Sequence, residues 1–199
     1  MKFLKQAQTV LALGVMTLAA SAAATTYSGS FATTITDNDP VGNDSTITIT
    51  DTGVITGLTV DVTMDHTWVG DLIMTLTSAD GTVLTLMDRP GVPATGFGTN
   101  LDIASISFDD TATLAAEDVV TGGTEPADLF VSPDDMLASL AGESLAGVWT
   151  LNISDNAGGD LNNIAPTWSL NIDTAPVPVP AALWLMLSAL GGLRLMRRR

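Results

Sequence analysis

The sequence predicts an all-β protein, an antiparallel jelly-roll β-sandwich. Three observations point there. Apolar and polar residues alternate over several short runs, the period of a strand with one buried face. Threonine and valine, which suit a pleated half-buried surface, fill those runs. Gly and Asp punctuate them, as tight turns require. Helical periodicity is thin, and no repeat of 20–50 residues suggests a solenoid or propeller.

The strand candidates follow in order. STITIT at 45–50 alternates strictly, and ITGLTVDVTM at 55–64 places Leu58, Val60 and Val62 on one face. LIMTL at 72–76 and VLTLM at 83–87 flank Ser78-Ala79-Asp80-Gly81-Thr82, and Asp-Gly between two such runs signals a hairpin. IASISF at 103–108, VWTLNI at 148–153 and WSLNI at 168–172 complete the series. SPDDML at 132–137 reads as one capped helical turn with proline at its first position, inside a connection.

Two labels flank this body. Residues 1–24 begin with Lys2 and Lys5, continue through an apolar run at 10–20 and end in Ser21-Ala22-Ala23-Ala24. That is the layout of a secretory signal peptide, expected to form a helix and to be cut by signal peptidase near Ala22 to Ala24. The run is shorter than the roughly 20 apolar residues a membrane span needs. Residues 176–199 hold a proline motif, a short apolar helix from 181 to 193 and a tip of four arginines. Positive charge after an apolar segment stays on the cytoplasmic side, so the segment is expected to tether the protein transiently in the inner membrane. A plain C-terminal anchor is the alternative.

VPVPAALWLMLSALGGLRLMRRR at 177–199 resembles the PEP-CTERM class of bacterial sorting tails in its VPxPA form, through Val177, Pro178, Pro180 and Ala181. The resemblance implies recognition by an exosortase and removal of the tail. The destination it implies is the surface or extracellular matrix of a Gram-negative bacterium.

The body, residues 25–175, is one domain's length of chain. It holds Arg89 as its single basic residue against all 22 acidic residues, a net charge of −21, where the whole chain is −15. Such a surface repels nucleic acid, which needs Lys and Arg on its phosphates. It also repels anionic lipid. Solubility, salt tolerance and divalent cations suit it. The chain has no cysteine, so no disulfide can staple it. Bound calcium is an alternative stabiliser, because it takes hard oxygen ligands.

His66 is the only histidine. It lacks the company catalysis needs: no G-x-S-x-G elbow is present, and one histidine without cysteine cannot build a zinc site. A carboxylate pair of the glycoside-hydrolase kind stays open among 22 acids. The three tryptophans of the body, Trp68, Trp149 and Trp168, all sit in strand-like settings and read as core. The expected role of His66 is therefore structural, a ring that hydrogen-bonds a neighbouring loop while Asp71 faces the end of the sandwich.

HTWVGDL at 66–72 with LTSADGT at 76–82 resembles the hallmark of the P domain, or homo B domain. LAGESLAGVWTL at 140–151, ISDNAGGD at 153–160 and Trp168-Ser169-Leu170 resemble its second half. The resemblance spans residues 28–173 and implies a jelly-roll sandwich that stabilises a subtilisin-like protease domain, which this chain lacks. The sequence departs at Ala79, where the family prefers proline, and at Leu161, where glycine commonly follows the aspartate. DNAGGD at 155–160 has the oxygen donors and glycines of a cation loop but not the EF-hand spacing. The resemblance implies Asp71, Asp155 and Asp160 as calcium ligands, with Asp109 and Asp110 expected to complete the shell. The competing reading makes these aspartates simple turn formers.

The sequence thus predicts an exported, non-enzymatic surface or matrix protein stabilised by calcium. Its alternative is an accessory domain for a separate subtilisin-like serine protease. A carboxylate hydrolase ranks third.

Overall fold

The computed structural model describes residues 24–94, 96–119, 127–160 and 162–175. Among the described residues, nine strands form two sheets. They are β1 (Thr25–Ser30), β2 (Asp39–Ile49), β3 (Ile55–His66), β4 (Leu72–Thr77), β5 (Val83–Asp88), β6 (Ile103–Phe108), β7 (Ala127–Val131), β8 (Gly147–Asp155) and β9 (Thr167–Thr174). One sheet has the order β1-β9-β3-β6-β7 and the other β2-β8-β4-β5. The two pack as the predicted sandwich, with the core between them. The segments expected to be a signal peptide and a sorting tail, with Val177, Pro178, Pro180 and Ala181, and Leu161 lie outside the described residues.

The alternation read from the sequence becomes the inward faces. Val60, Val62 and Met64 of β3, Met74 and Leu76 of β4, and Leu151 and Ile153 of β8 are all buried. Trp149 and Trp168 are core as expected, and each satisfies its indole: Trp149 Nε1 donates to the Leu145 carbonyl at 3.1 Å and Trp168 Nε1 to Ser45 Oγ at 2.8 Å. A buried indole left unbonded would forfeit about 1–3 kcal/mol. In a chain without disulfides, this continuous core supplies the cohesion.

The hairpin at Asp80-Gly81 forms. Gly81 sits at φ +91, a conformation glycine adopts without strain. The Ser78 N–H donates to the Thr82 carbonyl at 2.8 Å. Glu143 clamps the same turn, accepting from both Ser78 and Thr82 hydroxyls at 2.6 and 2.5 Å. The turn is therefore closed despite alanine at position 79.

Three expectations change. The sheets are not wholly antiparallel, because β7 runs parallel to β6. A parallel pair needs a long crossover, and the chain between Phe108 and Ala127 is long enough for one. The helical turn expected at 132–137 does not form. Those residues run along β5, with the Asp134 and Asp135 amides donating to the Leu86 and Thr85 carbonyls, and a 3-10 turn follows only at Leu137–Leu140. Backbone pairing with an open strand edge outweighs the local helical preference. The third change concerns Trp68, which stands half-buried at the surface rather than in the core.

Candidate functional site

The two segments that carry the P-domain resemblance meet at one end of the sandwich. His66 is the last residue of β3 and Asp155 the last of β8, so they terminate strands in opposite sheets. Both side chains are fully buried, and His66 Nε2 lies 3.1 Å from Asp155 Oδ2. The Trp68 backbone N–H donates to His66 Nδ1 at 3.1 Å. An Nδ1 that accepts fixes the tautomer: the proton sits on Nε2 and is donated to the carboxylate. The pair bolts one sheet to the other. Both ring nitrogens are spent, so the ring has no free position from which to deprotonate a serine.

The loop 155–160 folds back on this bolt. Asp155 Oδ1 accepts the Ala157 N–H at 3.1 Å, so both oxygens of Asp155 are engaged. The Asn156 N–H donates to the Asp71 carbonyl at 2.8 Å. Asp160 Oδ1 accepts the Thr67 hydroxyl at 2.8 Å. The Gly159 N–H forks between the two oxygens of Asp37 at 3.1 and 3.3 Å. Gly70, between Trp68 and Asp71, allows the 98–101 segment to close on the corner. A Cβ there would stand 2.3 Å from the Thr99 nitrogen.

Asp71 is the anomaly of the corner. Its residue is 2% exposed, and Oδ1 has no hydrogen-bond partner. Arg89 Nη2 lies 3.6 Å away, an ion pair beyond hydrogen-bond length. Its Nε is committed to the Gly70 carbonyl at 3.3 Å. Burial pushes the Asp71 carboxyl up to about 7; a hydrogen bond with Asp160 and the charges of Asp155 and Asp160 act in the same direction, against Arg89. Three acidic side chains are thus gathered with one guanidinium beside them.

Of the sequence-predicted ligands, Asp71, Asp155 and Asp160 come together. Asp109 and Asp110 do not join them. They follow Phe108, which pairs with Val60, whereas His66 pairs with Ile103 at the other end of β6. Asp109 caps its own turn at the Thr111 N–H and hydroxyl, and Asp110 accepts the Leu137 and Ala138 N–H groups at 2.8 and 2.7 Å. They are turn-forming aspartates at the far end. Asp155 is a neighbouring charge, not an open ligand, since His66 and Ala157 hold its oxygens.

The remaining donor set gives calcium a partial fit. Asp71 Oδ1 is a buried oxygen lacking a hydrogen-bond partner, with Asp160 beside it and Arg89 already 3.6 Å away. Yet among the described residues no group of three or more His, Asp or Glu side chains is arranged to hold a metal ion. A calcium ion here would need backbone carbonyls and water to reach six to eight oxygens.

Sequence reasoning missed Arg89, Phe97 and Asp37. Arg89 carried a signal: a lone base among 22 acids finds a carboxylate. Phe97 carried none, being an exposed loop residue. A second acidic group, also missed, lies along β5. There Asp134, itself exposed, is pushed up to about 7 by desolvation and by its neighbours Glu117, Asp88 and Asp135.

No protein-family model and no curated protein matches this chain. Two crystal structures of the Aeromonas sobria serine protease are similar in part. The one in complex with its chaperone ORF2 is 20% identical over 73% of this chain, with a TM-score of 0.46. The protease alone is 20% identical over 71%, with a TM-score of 0.44. This chain spans about a quarter of the length of those chains, 25% and 24%. A likeness of this degree decides nothing about function.

Proposed function

We propose that the protein is an exported, non-enzymatic surface or matrix protein that works by binding, with a loop corner built to accept a cation. One observation carries the reading: the buried Oδ1 of Asp71 beside Asp160, which accepts no hydrogen bond and meets the Arg89 guanidinium only at 3.6 Å, on a frame that His66 and Asp155 hold together. A buried carboxylate without a hydrogen-bond donor is costly, and one guanidinium beyond hydrogen-bond length offsets that cost only in part. Calcium is the inorganic candidate, held by Asp71 and Asp160 and rigidifying the 155–160 loop. Export, inner-membrane tethering and exosortase processing rest on the two chain ends. The net −21 of residues 25–175 keeps such a domain soluble and turns away nucleic acid.

Calorimetric melting of the purified protein in calcium and in chelator tests the calcium part. A cation bound only by the folded state adds about 2.7 kcal/mol at a hundredfold excess over Kd. That moves the midpoint by several degrees in a domain of this size. Superimposable curves would remove calcium from the account.

A second reading is an accessory domain that docks on a separate subtilisin-like protease. The meeting of the two P-domain-like segments at one corner favours it, since those segments would then be kept for a shared structural purpose. Co-purification of a protease with the tagged protein supports this reading, and its absence from the native secretion fraction weighs against it.

A further inference from the structure

A pocket of ≈ 200 Å³ opens at the corner, lined by Trp68, Asp71, Phe97, Ala157, Gly158 and Asp160. Its lining brings two acidic residues together with two aromatic ones. Trp68 is held in place by its indole N–H, which donates to the Phe97 carbonyl at 3.0 Å. Phe97 is 76% exposed, the second most exposed large apolar residue described. We propose that this pocket receives the ammonium group of a lysine side chain from a partner protein.

The proposal rests on the reading that Asp71 accepts a cation, and it changes which cation. Calcium uses oxygens only, so the aromatic half of the pocket would contribute nothing to it. An ammonium uses both halves: it pairs with carboxylates and is attracted to the faces of Trp and Phe. The lysine stem has apolar surface to cover, as the aromatic rim requires. The volume is below the roughly 300–1,000 Å³ of pockets for drug-sized ligands, and suits one side chain. Asp71 and Asp160 belong to different segments, so a cation between them meets two separate carboxylates rather than the edge of one. A compact charge with three donors matches that geometry better than the flat fork of arginine. Charge complementarity selects the partner: a domain of net −21 attracts basic surfaces from a distance. An exposed aromatic beside a desolvated charge is also the anatomy of a binding hot spot.

The test follows the Trp68 indole and Gly158 amide NMR signals of the ¹⁵N-labelled protein. It is titrated with n-butylammonium chloride, with calcium chloride, and with sodium chloride at matched ionic strength. A saturable response to butylammonium is expected, weakened at least tenfold by Asp71→Asn and several-fold by Phe97→Ala. Phe97 is exposed, so its removal leaves the fold intact if Asp71→Asn does not. A basic peptide with one lysine should bind at the same signals, and the lysine-acetylated peptide should not. A response to calcium alone overturns the ammonium proposal and leaves the cation reading standing. A response no larger than that to sodium overturns it as well. Silence to every cation overturns both.

Discussion

Replacing His66 by alanine tests the bolt. His66 is 0% exposed and bridges Asp155, also 0% exposed, to the Trp68 backbone. The substitution removes a hydrogen bond to a charged group, worth about 1.5–3 kcal/mol. It also strands Oδ2 of Asp155 in the interior, and breaking a buried pair by deleting one partner costs about 3–5 kcal/mol. These overlap, so the expected loss is about 3–5 kcal/mol in urea unfolding at neutral pH. In a domain of this size that is roughly 10 °C of melting temperature. The double variant His66→Ala/Asp155→Ala should lose less than the two single losses added, with a coupling of about 2 kcal/mol. A loss below about 1 kcal/mol for His66→Ala would refute the reasoning, because it would show that the pair holds nothing together.

The remaining predictions concern the same corner and the core beneath it. Gly70→Ala places a methyl 2.3 Å from the Thr99 nitrogen, and should cost about 1–3 kcal/mol by chemical denaturation. Trp149→Ala empties a fully buried site and should cost about 3–5 kcal/mol, whereas Trp168→Phe, which loses the bond to Ser45 and part of the buried ring, should cost about 1–3 kcal/mol. Asp71 ionises near 3.8 when unfolded and near 7 when folded. Between those values the folded state holds the extra proton, so this group's contribution falls as pH rises and is fully lost above about 7. The loss is at most about 4 kcal/mol. Asp71→Asn should flatten that slope in unfolding measured at pH 5 and pH 8, and so should a bound cation.

Seven of the nine strands were legible because each buries alternate residues. The other two lack that signal. β1 (TTYSGS) is an edge strand with no fully buried side chain, held by its pairing with β9. β7 (ADLFV) is a short edge strand whose parallel partner is set by the crossover before it, which no local pattern encodes. The first half of β2, Asp39 to Asp44, has no buried residue and contains a register shift between Asp39 and Asn43, so only its end alternates. The gathering of Asp71, Asp155 and Asp160 was visible through resemblance to known segments. The separation of Asp109 and Asp110 from them was not, because it depends on which way β6 runs against β3. The aromatic wall required a loop conformation. Trp68 turns outward because its backbone caps His66 and its indole reaches Phe97, contacts that a strand-like pattern cannot reveal.

The lone histidine is a fixed structural bolt between the two sheets. Long-range ¹H–¹⁵N correlation of its ring tests this most directly. A ring bonded at both nitrogens should show an unprotonated Nδ1 and a protonated Nε2 whose proton exchanges slowly with water. A ring with its proton on Nδ1, or one whose Nε2 proton exchanges freely, would contradict it.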